Sequence, residues 1–308
     1  MSNEIDFRAL ICIDGSTEAL AGMRYGAKLG TGLGAALTIM HVRGSNGNHA
    51  STVGTTGVSG SGAAWGVAVP EINYLVEAKD TLTYYGWMDE KWNEEQERKF
   101  EGNPLEDFQI MYQSPDKGKI TLKMTTGHNV AAKILSEVES GGYSLVIMGA
   151  SKKMSVIDRI LLSSEVQKVV VHAPCAVLVA RELEAGHGHL FCLDGSEKTY
   201  NALIKDLMLA NLCSCPVSII SVAENSSKES EANDIIKEGA RLAESLGLKV
   251  DQKIVAVGNP VEEIISHGRN YSVIVVGADT TTGLKRFFMG GTAFNIVLNA
   301  ENSVMVVR

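Results

Sequence analysis

Ile11-Cys12-Ile13-Asp14-Gly15-Ser16 returns 180 residues later as Phe191-Cys192-Leu193-Asp194-Gly195-Ser196. Each is a short apolar run that ends on a carboxylate and a Gly-Ser turn, the pattern of a buried strand leaving a sheet to enter a helix. Three further matches lie outward from this pair. Gly127-His128-Asn129-Val130 returns as Gly258-Asn259-Pro260-Val261. Tyr143-Ser144-Leu145-Val146-Ile147-Met148-Gly149-Ala150 returns as Tyr271-Ser272-Val273-Ile274-Val275-Val276-Gly277-Ala278, and Val177-Leu178-Val179-Ala180-Arg181 as Val304-Met305-Val306-Val307-Arg308. The chain is therefore a tandem repeat. The first offset is 180 and the second 131, so the first copy carries 49 extra residues between Asp14 and Gly127. The polar stretch Glu182 to Gly188 separates the copies, giving domains at 1–184, with an insertion over about 44–100, and at 185–308.

Composition agrees with two globular domains. The 308 residues are 45% hydrophobic and 21% charged, enough for each copy to bury a core. With 28 basic against 36 acidic side chains, the net charge of −8 offers no positive field for a phosphate backbone, so no nucleic-acid partner is expected. No run approaches the ~18 apolar residues of a membrane helix. The start, Met1 to Asp6, lacks the basic and apolar regions of a signal peptide, so no membrane partner and a cytoplasmic location are expected. Five cysteines, Cys12, Cys175, Cys192, Cys213 and Cys215, are odd in number and sit mostly in apolar runs, the mark of reduced, packed thiols.

Within each copy, strand-length apolar runs alternate with segments of helical period, which predicts a parallel sheet covered by helices. In the second copy strands are predicted at about 189–194, 216–222, 249–255, 272–277 and 303–307. Helices are predicted at about 197–212, 229–246, 260–269 and 290–300, with Ser196 as an N-cap and Gly247 as a stop. The fold class is α/β, two tandem doubly wound five-stranded parallel-sheet domains. In the insertion, Gly44 to Gly62 holds 13 Gly, Ser or Thr in 19 positions and reads as a mobile loop. Glu71 to Glu101 reads as helical. Residues 65–112 hold 9 of the 18 aromatics, which either pack on their own sheet or form a partner-binding surface.

Chemistry is expected at the carboxyl edge of the sheet, where Asp14 and Asp194 end the first strands and Gly149 and Gly277 the fourth. The loop after Gly277 leads to a helix whose free amides would suit a phosphate. This loop runs from Gly277-Ala278-Asp279-Thr280 to Met289-Gly290-Gly291-Thr292. It resembles the glycine loop of the universal stress protein family: Gly, two residues, Gly, nine residues, then Gly and Ser or Thr. Gly277 and Gly290 match, Thr280 stands at the middle glycine, and Gly291 precedes the hydroxyl of Thr292. The first copy adds His172-Ala173-Pro174-Cys175, typical of that family, while Lys152 and Ser163 replace loop glycines.

The resemblance covers nearly the whole chain apart from the insertion, and implies an adenine nucleotide hydrolase-like fold and an ATP- or ADP-binding site. It places adenine near Cys12, Asp14 and Val42, or Cys192, Asp194 and Val222. Phosphates would lie over Gly149, Lys152, Ser163 and Ser164, or over Gly277, Thr280, Gly290, Gly291 and Thr292, with Mg²⁺ arriving on the nucleotide. It also implies an internal pseudo-dimer in which the final strands, about 175–181 and 303–307, meet, and further homodimer formation. Pairing would cover two apolar edges.

Other patterns carry no chemistry. Gly30-Thr31-Gly32-Leu33-Gly34-Ala35 follows a helix, the reverse of a dinucleotide loop. The seven histidines show no metal-ligand spacing, and no protein-held metal is expected. Ser16 and Ser196 have no adjacent base and read as helix caps, so no catalytic residue is assigned. Two functions follow: a stress-response sensor or regulator that binds ATP or ADP, with at most slow hydrolysis, or a scaffold that binds no nucleotide and works through protein contacts.

Overall fold

The computed structural model describes residues 7–33, 36–44, 70–95, 107–115, 118–150, 162–181, 188–212, 214–277 and 291–308. They form an α/β protein of two compact units, Met1–Gly149 and Ala150–Arg308.

The first unit contains β1 (Arg8–Cys12), α1 (Thr17–Leu33), β2 (Ala36–Gly44), α2 (Ile72–Tyr84), β3 (Asn93–Glu95), β4 (Asp107–Gln113), β5 (Lys119–Gly127), α3 (Val130–Gly141) and β6 (Leu145–Gly149). Its strand order is β6-β1-β2-β5-β4-β3. The first four are parallel, as runs buried on both faces require. β4 and β3 then add antiparallel strands to the β5 edge, with Phe108 opposite Met124 and Ile110 opposite Leu122.

This corrects the helix expected over Glu71 to Glu101. α2 stops at Tyr84, Gly86 follows at φ +70°, and the alternating Asp107–Gln113 extends the sheet. Gly86 takes a conformation that a continuing helix cannot use. Phe108 and Tyr112 of this strand are buried, whereas Tyr84 and Tyr85 are exposed, Tyr85 stacking on Trp87 with Arg24 over its ring. The aromatics thus divide between packing and surface. The glycine-rich segment expected to be mobile lies outside the described residues, apart from Gly44 at the end of β2.

The second unit contains α4 (Ser164–His172), β7 (Ala176–Ala180), β8 (His189–Cys192), α5 (Glu197–Leu212), β9 (Val217–Ala223), α6 (Glu229–Ser245), β10 (Lys253–Val257), α7 (Pro260–Gly268), β11 (Val273–Gly277), α8 (Thr292–Asn299) and β12 (Ser303–Val307). Its order is β10-β9-β8-β11-β12-β7. The first five are parallel, and β7 pairs antiparallel with β12, with Val304 opposite Val179 and Val306 opposite Val177. The final strands of the two sequence copies therefore meet. This pairing draws α4 and β7, the end of the first copy, into the second compact unit.

Local chemistry sets the helix ends. Asn129 and Asn259 accept the free amides at the starts of α3 and α7, with Pro260 at the first turn of α7. Ser16 and Ser196 accept the amides of Ala19 and Thr199, as helix caps should. No helix among the described residues is long and apolar enough to cross a membrane.

Candidate functional site

β8 and β9 have unequal lengths, and this opens the site. The last ladder bond runs from Leu193 N to Ile220 O at 2.8 Å, after which the chain turns away while β9 continues to Ala223. Alternate residues of a strand direct their amides to the same neighbour. Val222, two residues beyond Ile220, thus points its N–H and C=O to the side that β8 has left.

The turn itself is tightly held. Asp194 Oδ1 accepts from Ser196 N at 2.9 Å, Ser196 Oγ at 2.7 Å and Thr199 Oγ1 at 2.7 Å. Partial burial works against the charge of Asp194, but the bonds from Ser196 and Thr199 outweigh it and hold the carboxyl below its ordinary range. Gly195 sits at φ +82°, and a Cβ there would come within 2.9 Å of Ile235, so the turn needs glycine twice over.

These groups face β11 and α8 across a cavity of about 300 Å³. Cys192, Asp194, Val222, Gly277 and Thr292 line it together, five residues that the sequence nominated. Gly291 is the N-cap of α8 and offers no side-chain cap, so among the described residues no side chain takes the amides at its start, a setting that suits an anion. Burial raises the Cys192 thiol, which forms an uncharged wall. Thr280 and Gly290 lie outside the described residues. Sequence reasoning missed Thr199, Ile235, Ala293 and the rim charges Glu224, Lys228 and Glu231. Of these only Thr199 carried a signal, standing three residues after the capping serine.

The first copy has the same frame, differently furnished. Asp14 Oδ1 accepts from Ser16 N at 3.0 Å and Ser16 Oγ at 2.6 Å, but Ala19 stands where Thr199 supplies a third bond. Tyr74 covers the turn, its Cε1 2.4 Å from where a Gly15 Cβ would be. His41 Nδ1 donates to Ile13 O at 2.9 Å, its ring lies 4.9 Å from that of Tyr74, and Arg43 pairs with Glu71 at 3.6 Å. Val42 lies between His41 and Arg43 near the end of β2. Cys12 is buried, and its thiol is raised by that burial and then by the charges of Glu137 and Asp14. Gly149 lies against α1, with Ala19 N 2.4 Å from a would-be Cβ. Ser163 caps α4 through Val166 N, and Ser164 bonds Glu165, both in the second unit. Lys152 lies outside the described residues.

The sequence profile of the universal stress protein family matches residues 70–181 and again 190–308. The chain belongs to the universal stress protein family. Universal stress protein YxiE of Bacillus subtilis is 26% identical over 143 residues, which span 39% of this chain and 97% of that relative. The relative is thus the length of one copy, and this universal stress protein holds two. Solved structures share the tandem fold at low identity. A protein of unknown function from Pseudomonas aeruginosa aligns at 15% identity and a TM-score of 0.64, over 99% of this chain and 93% of that one. A universal stress protein from Archaeoglobus fulgidus aligns at 16% and 0.57, over 98% and 96%. These likenesses extend to the fold alone.

Proposed function

We propose that this universal stress protein is a sensor or regulator that binds one adenine nucleotide per chain, in the cavity of the second copy. The observation that carries this reading is the Val222 backbone, unpartnered among the described residues, beside the Asp194 carboxylate in a cavity that the start of α8 also lines. An adenine edge presents one acceptor and one amino donor, which an N–H, a C=O and a carboxylate complement. A volume of about 300 Å³ suits a small ligand of this size. Thr292, Ala293 and the uncapped amides of α8 would hold phosphate.

Asp194 Oδ1 already accepts three bonds, so Mg²⁺ would arrive on the phosphates rather than on a protein-held site. Among the described residues that line the cavity none is an activated base, and we assign slow hydrolysis at most. In the first copy, Tyr74, His41 and the Arg43–Glu71 pair occupy the corresponding mouth.

The test is calorimetric titration of nucleotide-free protein with ATP and Mg²⁺, beside analysis of small molecules released on denaturation. A stoichiometry near one is expected. Ala293→Glu puts a negative charge at the start of α8, which helices favour there, yet it should weaken ATP binding at least tenfold with the melting temperature unchanged. No saturable binding at millimolar ATP would favour the scaffold reading, which the exposed Tyr84 and Tyr85 support.

A further inference from the structure

The amino edge of the second copy's sheet, opposite the cavity, carries a cluster that nucleotide binding does not use. His189 opens β8, and its Nδ1 meets Asp206 Oδ1 of α5 at 2.9 Å, both side chains being buried. Asp206 Oδ2 is buried as well, and among the described residues no donor meets it. The carboxylate charge is therefore left chiefly to the imidazole, which favours the imidazolium.

The backbone brings a reduced thiol to this pair. His189 N donates to Pro216 O at 2.8 Å, and His189 is the register partner of Val217 in the parallel pairing of β8 with β9. Register partners project to one face of a sheet, and residues two apart on a strand share that face. Cys215 stands two positions before Val217 and is held extended by the proline that follows it, so it comes to the α5 face, where His189 meets Asp206. Its N–H donates to Ala210 O at 2.8 Å, one turn along α5 from Asp206. Cys215 is half-buried, open to small solutes.

Burial opposes charge on His189, yet Asp206 and then the negative charge of Cys215 outweigh it. That attraction is mutual, so the imidazolium in turn favours the thiolate. Few other charges act here. Neither β9 nor β11, the strands beside β8, carries a titratable side chain. On α5, Lys205 bonds Arg308 O, and Glu197, Lys198 and Tyr200 lie in the first turn, away from Asp206.

We propose that Cys215, His189 and Asp206 form a peroxide-reactive thiol site, in which Asp206 orients His189 and the imidazolium holds Cys215 as the thiolate. The oxidant is hydrogen peroxide. The thiolate sulfur attacks one peroxide oxygen, and the S–O bond forms as the O–O bond breaks. Sulfur is oxidised to the sulfenic acid, the peroxide is reduced, and the departing hydroxide takes a proton from solvent to become water.

Iodoacetamide labelling of the full chain across pH, with peptide fragmentation to place the label, tests this. A free thiol is only about 1% thiolate at about pH 6.5. Cys215 should react at least about tenfold faster than free cysteine there and lose that lead by about pH 9.5. His189→Gln should abolish the lead while leaving the rate at about pH 9.5 unchanged, a difference that loosened packing would not produce. If His189→Gln fails to fold, Asp206→Asn, which keeps the carboxyl's shape, should shift the profile the same way. Treatment with hydrogen peroxide and then dimedone should place a sulfenic-acid adduct on Cys215, reduced about tenfold in the folded variant. A Cys215 rate that follows or falls below the free-thiol curve overturns the proposal. So does a lead that the folded variant retains, or a dimedone adduct confined to other cysteines.

Discussion

Arg181 and Arg308 make the same pair of hydrogen bonds in opposite directions across β7 and β12. Arg181 Nη1 donates to Asn302 O at 2.9 Å and Nη2 to Val297 O at 2.6 Å. Arg308 Nη1 donates to Cys175 O at 2.9 Å, and Nη2 to Val170 O. All three residue pairs are 127 apart, so each arginine does for the other copy's last helix what its counterpart does in return. Val170 and Val297 lie in the final turns of α4 and α8, where carbonyls lack intrahelical partners and the helix dipole is negative.

Arg181 is fully buried, and that burial alone draws its pKa down to about 10. Arg181→Ala should therefore cost about 3–5 kcal/mol, combining a cavity with two orphaned carbonyls. Arg308→Ala should cost about 1–2 kcal/mol, since water can reach its partners. Urea denaturation measures both. A loss below about 1 kcal/mol for Arg181→Ala would show that these carbonyls find other donors.

Asp194 holds the turn that positions Val222's cavity. Its carboxyl is lowered in the folded state, so its contribution is fully present above the ordinary carboxylate value and is lost as pH falls below it. Asp194→Asn should cost about 1 kcal/mol at neutral pH, with the difference from the natural protein shrinking below about pH 4. Denaturation midpoints across acid pH check this.

His189 and Asp206 form a buried pair, Nδ1 to Oδ1 at 2.9 Å. Burial opposes charge on the imidazole, but the attraction and hydrogen bond of Asp206 outweigh it, with a further contribution from Cys215, and its pKa is raised. The stabilisation is therefore complete below the ordinary histidine value, near 6.5, and is lost as pH rises through the folded one. The natural protein's advantage over His189→Gln should be greatest in mild acid and decline toward alkaline pH. Asp206→Ala should cost about 3–5 kcal/mol at any pH where His189 is charged, because it strands that charge. An advantage independent of pH would show the pair to be neutral.

Gly149 and Gly277 end equivalent strands, yet they should tolerate alanine differently. A Cβ on Gly149 would meet the backbone nitrogen of Ala19 at 2.4 Å, whereas one on Gly277 would meet the Thr199 methyl at 3.0 Å. Backbone cannot yield as a methyl can. Gly149→Ala should destabilise by about 2–3 kcal/mol and Gly277→Ala by less than about 1 kcal/mol, read from thermal melts.

Local pattern sufficed for much of this protein. Apolar period placed β8, β9, β11, β12 and the second copy's helices to within about two residues, because each buries its faces through contacts that repeat along its own sequence. The Asp-Gly-Ser turns were equally legible, since Asp194 bonds residues two and five positions away. Asp107–Gln113 was less so: its alternation marks a strand only once β5 offers it an edge. Nor could period distinguish the two sites. Tyr74 and Ile235 are each one apolar position on a helix, and only their packing over Gly15 and Gly195 makes one mouth filled and the other open. The sequence by itself determined the repeat, its strands and its turns, because those rest on interactions between near neighbours. That Asp194, Val222 and Thr292 line one cavity, that β4 covers the edge of β5 and that Arg181 finds Val297 were decided by tertiary structure, where packing and not local pattern chooses the partner.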